Sequence, residues 1–156
     1  MRTTSRILFA AVLFTALAAC SGGAVRKQIN PPGASIQQLA VQPNGQWQLS
    51  VRLQNFSNVP TAFQGVDAKL TVGGQEAGSV TFTPQMSIGP DSADVVTTLV
   101  TPTLGAKLAV ASALSAGQSV RYTLEGRIVT TTPKGNHPFN YESTLNPAPG
   151  LTGVMR

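Results

Sequence analysis

Residues 47–54 read Trp47-Gln48-Leu49-Ser50-Val51-Arg52-Leu53-Gln54, and this stretch decides the fold class. Large apolar and polar side chains alternate strictly along it. Because successive side chains of a β-strand point to opposite faces, the period of two places all four apolar residues on one face. The pattern predicts an antiparallel strand with one face in a core and the other in water, and Trp47 is its largest core residue.

The same alternation recurs further along the chain. Val66–Val72 and Val120–Ile128 place apolar side chains at every second position. Gly73-Gly74 fits a two-residue hairpin loop, because glycine tolerates the positive φ angles of such loops. The remaining predicted strands are Ile36–Val41, Gln75–Phe82 with a bulge at Ala77-Gly78, Asp94–Val100 and Phe139–Leu145, and a loop is predicted at Pro133–Asn136.

One segment, Thr103–Ala116, has a different composition, rich in Ala and Leu and followed by Gly117 as a stop. Apolar residues recur along it at steps of three and four, which predicts a short crossover helix. These residues are Leu104, Leu108, Ala111 and Leu114. An amphipathic membrane-binding helix is the alternative, which a single cation, Lys107, disfavours.

The strands and the helix together define a fold class. Seven or so short strands separated by Gly, Pro and Asn turns, with one short crossover helix, predict an all-β protein. The predicted architecture is an antiparallel fibronectin-III/immunoglobulin-like β-sandwich.

Several short motifs then point to a family. They are Leu49–Asn55 leading into Asn55-Phe56-Ser57-Asn58, Leu70–Gly74, Ala77-Gly78, Tyr122–Ile128 and His137-Pro138-Phe139. From about Ile36 to Leu145 the chain resembles the late-embryogenesis-abundant type 2 family, also called the water-stress and hypersensitive-response domain. The family pattern has an Asn-Pro-Asn turn, which here is altered by Phe56 and one extra residue. The resemblance implies a fibronectin-III-like sandwich, a non-enzymatic protein linked to desiccation or envelope stress, and no defined active site.

The N-terminus carries a second pattern. Arg2 and Arg6 precede an apolar run, Ile7–Ala16, and the run is followed by Leu17-Ala18-Ala19-Cys20. The arrangement fits an export signal, and its last four residues resemble the lipobox of bacterial lipoproteins. A membrane span is a weaker interpretation, since a spanning helix needs about 20 apolar residues. An ordinary signal peptide that happens to contain a cysteine is the other alternative.

The lipobox resemblance implies cleavage between Ala19 and Cys20 and a lipid on the Cys20 sulfur. The expected organisation is a signal peptide at 1–19, the lipidated cysteine and a flexible tether at 20–34, the sandwich at 35–146 and a flexible tail at 147–156. About fourteen tether residues span at most about 50 Å. Ser21 stands where many such proteins carry an inner-membrane retention aspartate, so the expected location is the outer membrane, with the sandwich facing the periplasm.

Charge and residue chemistry exclude several function classes. After residue 19, nine basic and six acidic residues remain, a net charge of +3 with no basic run, so nucleic-acid binding is not expected. With Cys20 acylated, no thiol chemistry is left. His137 is the only histidine and is expected at the surface, while Asp91 and Asp94 suit turn and cap roles better than calcium binding. No catalytic residue, cofactor or metal is predicted.

Two side-chain groups are assigned structural roles. Trp47, Phe56 and Phe63 could line a carbohydrate site but suit core packing better. Glu125 and Arg127 lie two apart on a polar strand face and are expected to pair with cross-strand neighbours.

Two function classes stay open: a membrane-anchored binding or protective module related to stress, and an envelope assembly lipoprotein that binds a protein partner through a sandwich edge strand. An enzyme is not expected.

Overall fold

A computed structural model describes residues 26–156 as nine strands and one helix. The predicted signal peptide, Ala19 and Cys20 lie outside the described residues. The strands are β1 Gly33–Val41, β2 Trp47–Gln54, β3 Thr61–Val72, β4 Gln75–Phe82, β5 Met86–Ile88, β6 Ala93–Val100, β7 Val120–Thr132, β8 Lys134–Leu145 and β9 Val154–Met155. The helix is α1, Leu104–Ala116.

The strands form two antiparallel sheets. Sheet A has the order β6-β2-β1-β9, and sheet B has the order β4-β3-β7-β8 with β5 also paired to β3. The apolar faces of the two sheets share one core, which confirms the predicted antiparallel β-sandwich with one helix. The sandwich has two ends, called here the Asn55 end, where β2 stops and β6 begins, and the helix end, where α1 lies.

The alternating segments bury the faces that the sequence predicts. Trp47, Leu49, Val51 and Leu53 of β2 are all buried, while Gln48 and Arg52 on the opposite face are exposed. The same holds for the predicted apolar faces of β3 and β7, apart from Gly126, which is half-buried. The buried residues of these two strands include Val66, Ala68, Leu70, Val72, Val120, Tyr122, Leu124 and Ile128. Strands with a period of two could therefore be oriented from sequence alone.

The helix forms where it was predicted. The Thr103 hydroxyl caps its first turn by accepting a hydrogen bond from the Ala106 N–H at 3.4 Å, and Gly117 ends it in the left-handed conformation at φ 63°. Two of the apolar residues whose spacing predicts the helix, Leu104 and Leu108, are 73% and 63% exposed. The buried residues are instead Ala106, Val110 and Ala113.

Close packing explains the choice of helix face. A Cβ atom built on Gly73, in the β3–β4 hairpin turn, would lie 2.8 Å from the Cβ of Ala109. The helix therefore approaches the sheet too closely for leucine side chains to lie between them. Apolar residues lie almost all round the helix, so the steps of three and four residues do not distinguish which face is buried.

The two ends of the domain also differ from what the sequence predicts. β1 begins at Gly33, inside the predicted tether, and β9 forms within the segment 147–156 that was predicted to be a flexible tail. Met155 of β9 is fully buried, pairs with Leu39 and belongs to the core. The predicted loop at Pro133–Asn136 was also wrong, since β8 starts at Lys134 and forms a tight hairpin with β7.

Candidate interaction surfaces

A buried asparagine organises one end of the sandwich. Asn55 has no exposed surface, and its Nδ2 group donates hydrogen bonds to the carbonyls of Val59, Ile88 and Gly89 at 2.8, 3.1 and 2.9 Å. Its Oδ1 atom accepts from the Ser57 N–H at 2.9 Å and from the Thr61 hydroxyl at 3.0 Å. A single side chain thus ties the β2–β3 loop to the end of β5. In the sequence this asparagine indicates only a turn.

The chain that precedes β1 is bound to the same loop. The backbone N–H and C=O of Asn30 bond the Ser57 hydroxyl at 3.0 and 3.1 Å, and the Asn30 side chain donates to the Phe56 carbonyl at 2.7 Å. Two residues earlier, the Gln28 N–H donates to the Asn58 side chain at 2.7 Å, and the Asn58 side chain donates to the Arg26 carbonyl at 2.8 Å. Residues 26–30 therefore join the domain at the Asn55 end.

The histidine and the two aspartates singled out in the sequence lie on different elements: His137 in β8, Asp94 in β6 and Asp91 in the turn before β6. His137 is half-buried, and its Nε2 atom lies 3.1 Å from the hydroxyl of the buried Thr130. Asp94 accepts a hydrogen bond from the Val95 N–H at 2.7 Å, and Asp91 lies in a turn with a φ of 47°. Between residues 26 and 156, no group of three or more His, Cys, Asp and Glu side chains could hold a metal ion.

The three aromatic residues considered for carbohydrate binding do not form a platform. Trp47 and Phe63 are each 1% exposed and contribute to the core, whereas Phe56 lies in the Asn55 loop and is 51% exposed. A stacking site needs aromatic faces that a ligand can reach. The geometry therefore favours the core-packing role for Trp47 and Phe63.

Charged side chains concentrate on the outer face of sheet B. Asp67 of β3 and Arg127 of β7 are cross-strand partners and form an ion pair at 3.1 Å, as predicted for Arg127. Glu125 lies opposite Lys69 in the same ladder. Gly126 leaves a shallow groove of about 440 Å³ between these side chains. Because the Asp67–Arg127 pair is more than half exposed, it contributes little to stability.

The outer face of sheet A is different in character. Its cross-strand rows consist of uncharged residues except for Arg52, which donates a hydrogen bond to Gln54 at 2.7 Å. Two large apolar side chains on this face, Val95 and Leu99 of β6, are 42% and 58% exposed. This uncharged face could have been found from the Gln, Thr, Ser and Val residues of β2 and β6.

Helix α1 presents a further apolar surface at the helix end of the sandwich, whereas Arg26 lies at the Asn55 end. Leu104 and Leu108 are one turn apart on its solvent side. Beside it lies a groove of about 640 Å³ lined by uncharged residues of α1 and of the segment 147–153. Among residues 26–156, no helix is both long enough and apolar enough to cross a membrane.

Comparisons with known proteins identify the fold and the family pattern. The profile of the family described as "Late embryogenesis abundant protein" matches residues 50–144. The solution structure of AT1g01470 from Arabidopsis thaliana has a TM-score of 0.51 at 11% identity, over 83% of this chain and 91% of that one. This likeness supports the same fold. None of the curated proteins matches the sequence.

Two further solved structures are similar at lower scores. At2g46140.1, provisionally assigned to the late embryogenesis abundant (LEA) proteins, has a TM-score of 0.48 at 15% identity, over 94% of this chain and 84% of that one. A protein from Archaeoglobus fulgidus has a TM-score of 0.42 at 13% identity, over 78% of this chain and 98% of that one.

Proposed function

The chain belongs to the late embryogenesis abundant protein family, and from that premise we propose that it acts as a lipid-anchored, non-enzymatic binding or protective module of the cell envelope. The family resemblance predicted from the sequence is thereby confirmed. Family membership supports a non-enzymatic, stress-related domain. The anchor at Cys20, the outer-membrane location and the protective role are the proposal.

The lipobox resemblance of Leu17-Ala18-Ala19-Cys20 supports the anchor itself, and the attachment of residues 26–30 to the Asn55 loop supports its orientation. Those residues make side-chain and backbone hydrogen bonds to Phe56, Ser57 and Asn58, so the chain reaches the domain at a fixed point. From Cys20 to Arg26 there are six residue steps, which reach at most about 20 Å. A lipid on Cys20 would therefore hold the Asn55 end of the sandwich near the bilayer.

The same geometry separates the anchor from helix α1. The helix lies at the other end of β2 and β7, and a β-strand rises about 3.3 Å per residue. The eight residues of β2 alone place the two ends more than about 20 Å apart. An anchored domain would therefore direct Leu104 and Leu108 away from its own membrane, which disfavours the membrane-binding role considered for this helix.

Acyl chains would supply enough affinity without help from charge. Each buried methylene contributes about 0.8 kcal/mol, and two or more chains give stable attachment. Arg26 and Lys27 are exposed beside the attachment point and carry the only charges of that segment. They add at most about 1 kcal/mol each toward an anionic surface.

The test compares the full chain with a Cys20→Ser variant in a bacterium that processes lipoproteins. We expect the unaltered chain in the membrane fraction, resistant to extraction by salt, and the variant either unprocessed or released. Cells that lack the chain should lose survival after drying, and complementation by Cys20→Ser should restore less survival than the unaltered chain. Equal membrane retention of both proteins after signal removal would contradict the anchor.

A second candidate function is favoured by one observation. Strand β6 forms an edge of sheet A, and a sheet edge can take up a strand from another molecule. The protein would then act in envelope assembly rather than in direct protection.

A further inference from the structure

Strand β6 is the one long sheet edge, within residues 26–156, that has no lysine, proline or bulge, and its one charged residue is Asp94. Edges are commonly protected against strand addition by charged side chains, especially lysine, by proline, by a bulge or by a very short strand. β8 carries Lys134 and Pro138, β4 has a register shift opposite Leu70 and Thr71, and β9 is two residues long. In contrast, the eight residues of β6 pair with β2 in unbroken register and include neither Lys nor Pro.

The hydrogen bond made by Asp94 indicates which backbone groups of β6 face outward. Its carboxylate accepts the Val95 N–H, so this N–H is not used in the ladder with β2. Residues of an antiparallel strand alternate in the side to which their N–H and C=O groups point. Thr97 and Leu99 therefore present their backbone groups on the same open side as Val95. Gly78 of β4 lies close to Val100 and Thr101, at the end of the strand.

We propose that β6 pairs antiparallel with β6 of a second copy of this chain. With Thr97 opposite Thr97 of the second copy, Val95 lies opposite Leu99, and the two four-stranded sheets become one sheet of eight strands. The exposed Val95 and Leu99 side chains then contact each other on the outer face of sheet A. Cross-strand pairs of this kind are the main side-chain stabilisation of an antiparallel pair.

Charge complementarity favours a second copy of the chain as the partner of β6, and it favours antiparallel over parallel pairing. In the antiparallel register Asp94 lies opposite Val100 of the second copy. Within that copy, Val100 pairs with Trp47, which follows the turn at Gly45. The Lys107 ammonium group lies beside Gly45 and has no ion pair among the described residues. Each Asp94 therefore approaches the Lys107 end of the other copy. A parallel pairing would instead bring the two Asp94 carboxylates together.

The proposal goes beyond the anchored module and does not depend on it. Antiparallel pairing places the two Asn55 ends, and with them the two Arg26 residues, at opposite ends of the dimer. Because Cys20 reaches at most about 20 Å from Arg26, two acylated copies would be attached to two apposed surfaces rather than to one. Loss of the lipid would leave the pairing itself unchanged.

Sedimentation velocity tests the pairing on the full chain with Cys20→Ser, in a mild detergent that keeps the apolar N-terminal segment dispersed. We expect the number of chains per particle to rise from one to two as the protein concentration increases, with a dissociation constant below about 1 mM. Leu99→Lys adds an edge lysine, and Thr97→Pro removes an outward N–H but keeps the bonds to β2. Both should remain single chains at concentrations where the parent pairs, while Tyr141→Lys, on exposed β8 of the other sheet, should pair like the parent.

A crosslink tests the register. In the Cys20→Ser background, Thr97→Cys provides the only cysteine, and hydrogen-bonded antiparallel partners lie about 5.5 Å apart at Cα, within disulfide range. Mild oxidation should give a disulfide dimer with Thr97→Cys and much less with Tyr141→Cys. A parent chain that stays single up to about 1 mM, or equal crosslinking at positions 97 and 141, would overturn the proposal, provided circular dichroism shows that the variants are folded.

Discussion

The phenolic oxygen of Tyr122 joins the two sheets by bonding both backbone groups of Ile36. The Ile36 N–H donates to Tyr122 Oη at 3.0 Å, and the hydroxyl donates to the Ile36 carbonyl at 3.3 Å. Tyr122 belongs to β7 of sheet B and Ile36 to β1 of sheet A, where a register shift between Ile36 and Gln38 interrupts the ladder with β2. The buried Tyr122 hydroxyl thus acts as both hydrogen-bond donor and hydrogen-bond acceptor for the backbone of β1 beside its bulge.

Replacing Tyr122 by Phe should destabilise the domain, because it leaves a buried peptide group without this partner. We expect a loss of about 1–3 kcal/mol in the free energy of unfolding, measured by urea denaturation. Tyr141→Phe, at an exposed position, is the matched control and should change stability by less than about 0.5 kcal/mol. Equal effects of the two changes would show that the contact between Tyr122 and Ile36 contributes nothing.

The same residue predicts a dependence on alkaline pH. Burial raises the pKa of Tyr122 to about 12 from an ordinary value of 10.0; the hydrogen bond with Ile36 lowers this pKa, and the neighbouring Tyr141 raises it. Because the folded state holds the proton more tightly, this contribution to stability is complete below pH 10 and is lost as pH rises from 10 to about 12. The loss is on the order of 2–3 kcal/mol.

The measurement is the difference in unfolding free energy between the parent and Tyr122→Phe across this range of pH. That difference should shrink as pH rises above 10, since the variant lacks the titrating group. A constant difference would mean that Tyr122 titrates alike in the folded and unfolded chains.

Asn55 should be sensitive to an isosteric change. In Asn55→Asp the carboxylate cannot donate, so three carbonyls lose their donor and a negative charge is buried beside them. We expect about 3–5 kcal/mol of destabilisation in chemical denaturation. Asn44→Asp, in the exposed β1–β2 turn, is the control and should have a small effect. Similar midpoints for both variants would exclude Asn55 as the residue that holds this end together.

Truncation of leucines should separate the strand core from the helix surface. Leu49→Ala removes a fully buried side chain and should cost about 2–5 kcal/mol, whereas Leu108→Ala removes one that is mostly exposed and should cost less than about 0.5 kcal/mol. Thermal unfolding of the two variants is the measurement. An unmoved midpoint in Leu49→Ala, or a large fall in Leu108→Ala, would contradict the assigned orientation of β2 or of α1.

The strands could be oriented from sequence because their period is unambiguous. A period of two leaves only one apolar face, so the buried sides of β2, β3 and β7 follow directly from residues such as Leu49, Leu70 and Leu124. The face of α1 could not be deduced, since Ala106, Val110 and Ala113 repeat with the same spacing as Leu104, Leu108 and Ala111. Close approach to the Gly73 turn decides between them, and that is a tertiary contact.

The ends of the domain and its surfaces depend on long-range contacts as well. β9 is two residues long and forms because Met155 enters the core beside Leu39, a pairing that no local pattern indicates. The attachment of residues 26–30 depends on single side chains of Asn30, Ser57 and Asn58, which in sequence suggest only turns. The exposed edge of β6 follows from the strand order, which alternation does not specify.

The most direct test of the proposed function is the intact mass of the N-terminus in the membrane fraction. The chain is expressed at full length in a bacterium that processes lipoproteins, extracted from membranes and analysed by mass spectrometry after proteolysis. We expect a chain that begins at Cys20 and carries diacylglyceryl and amide-linked acyl mass on that residue, and no such mass in Cys20→Ser. A mature chain that begins elsewhere, or that begins at Cys20 without acyl mass, would contradict the anchor.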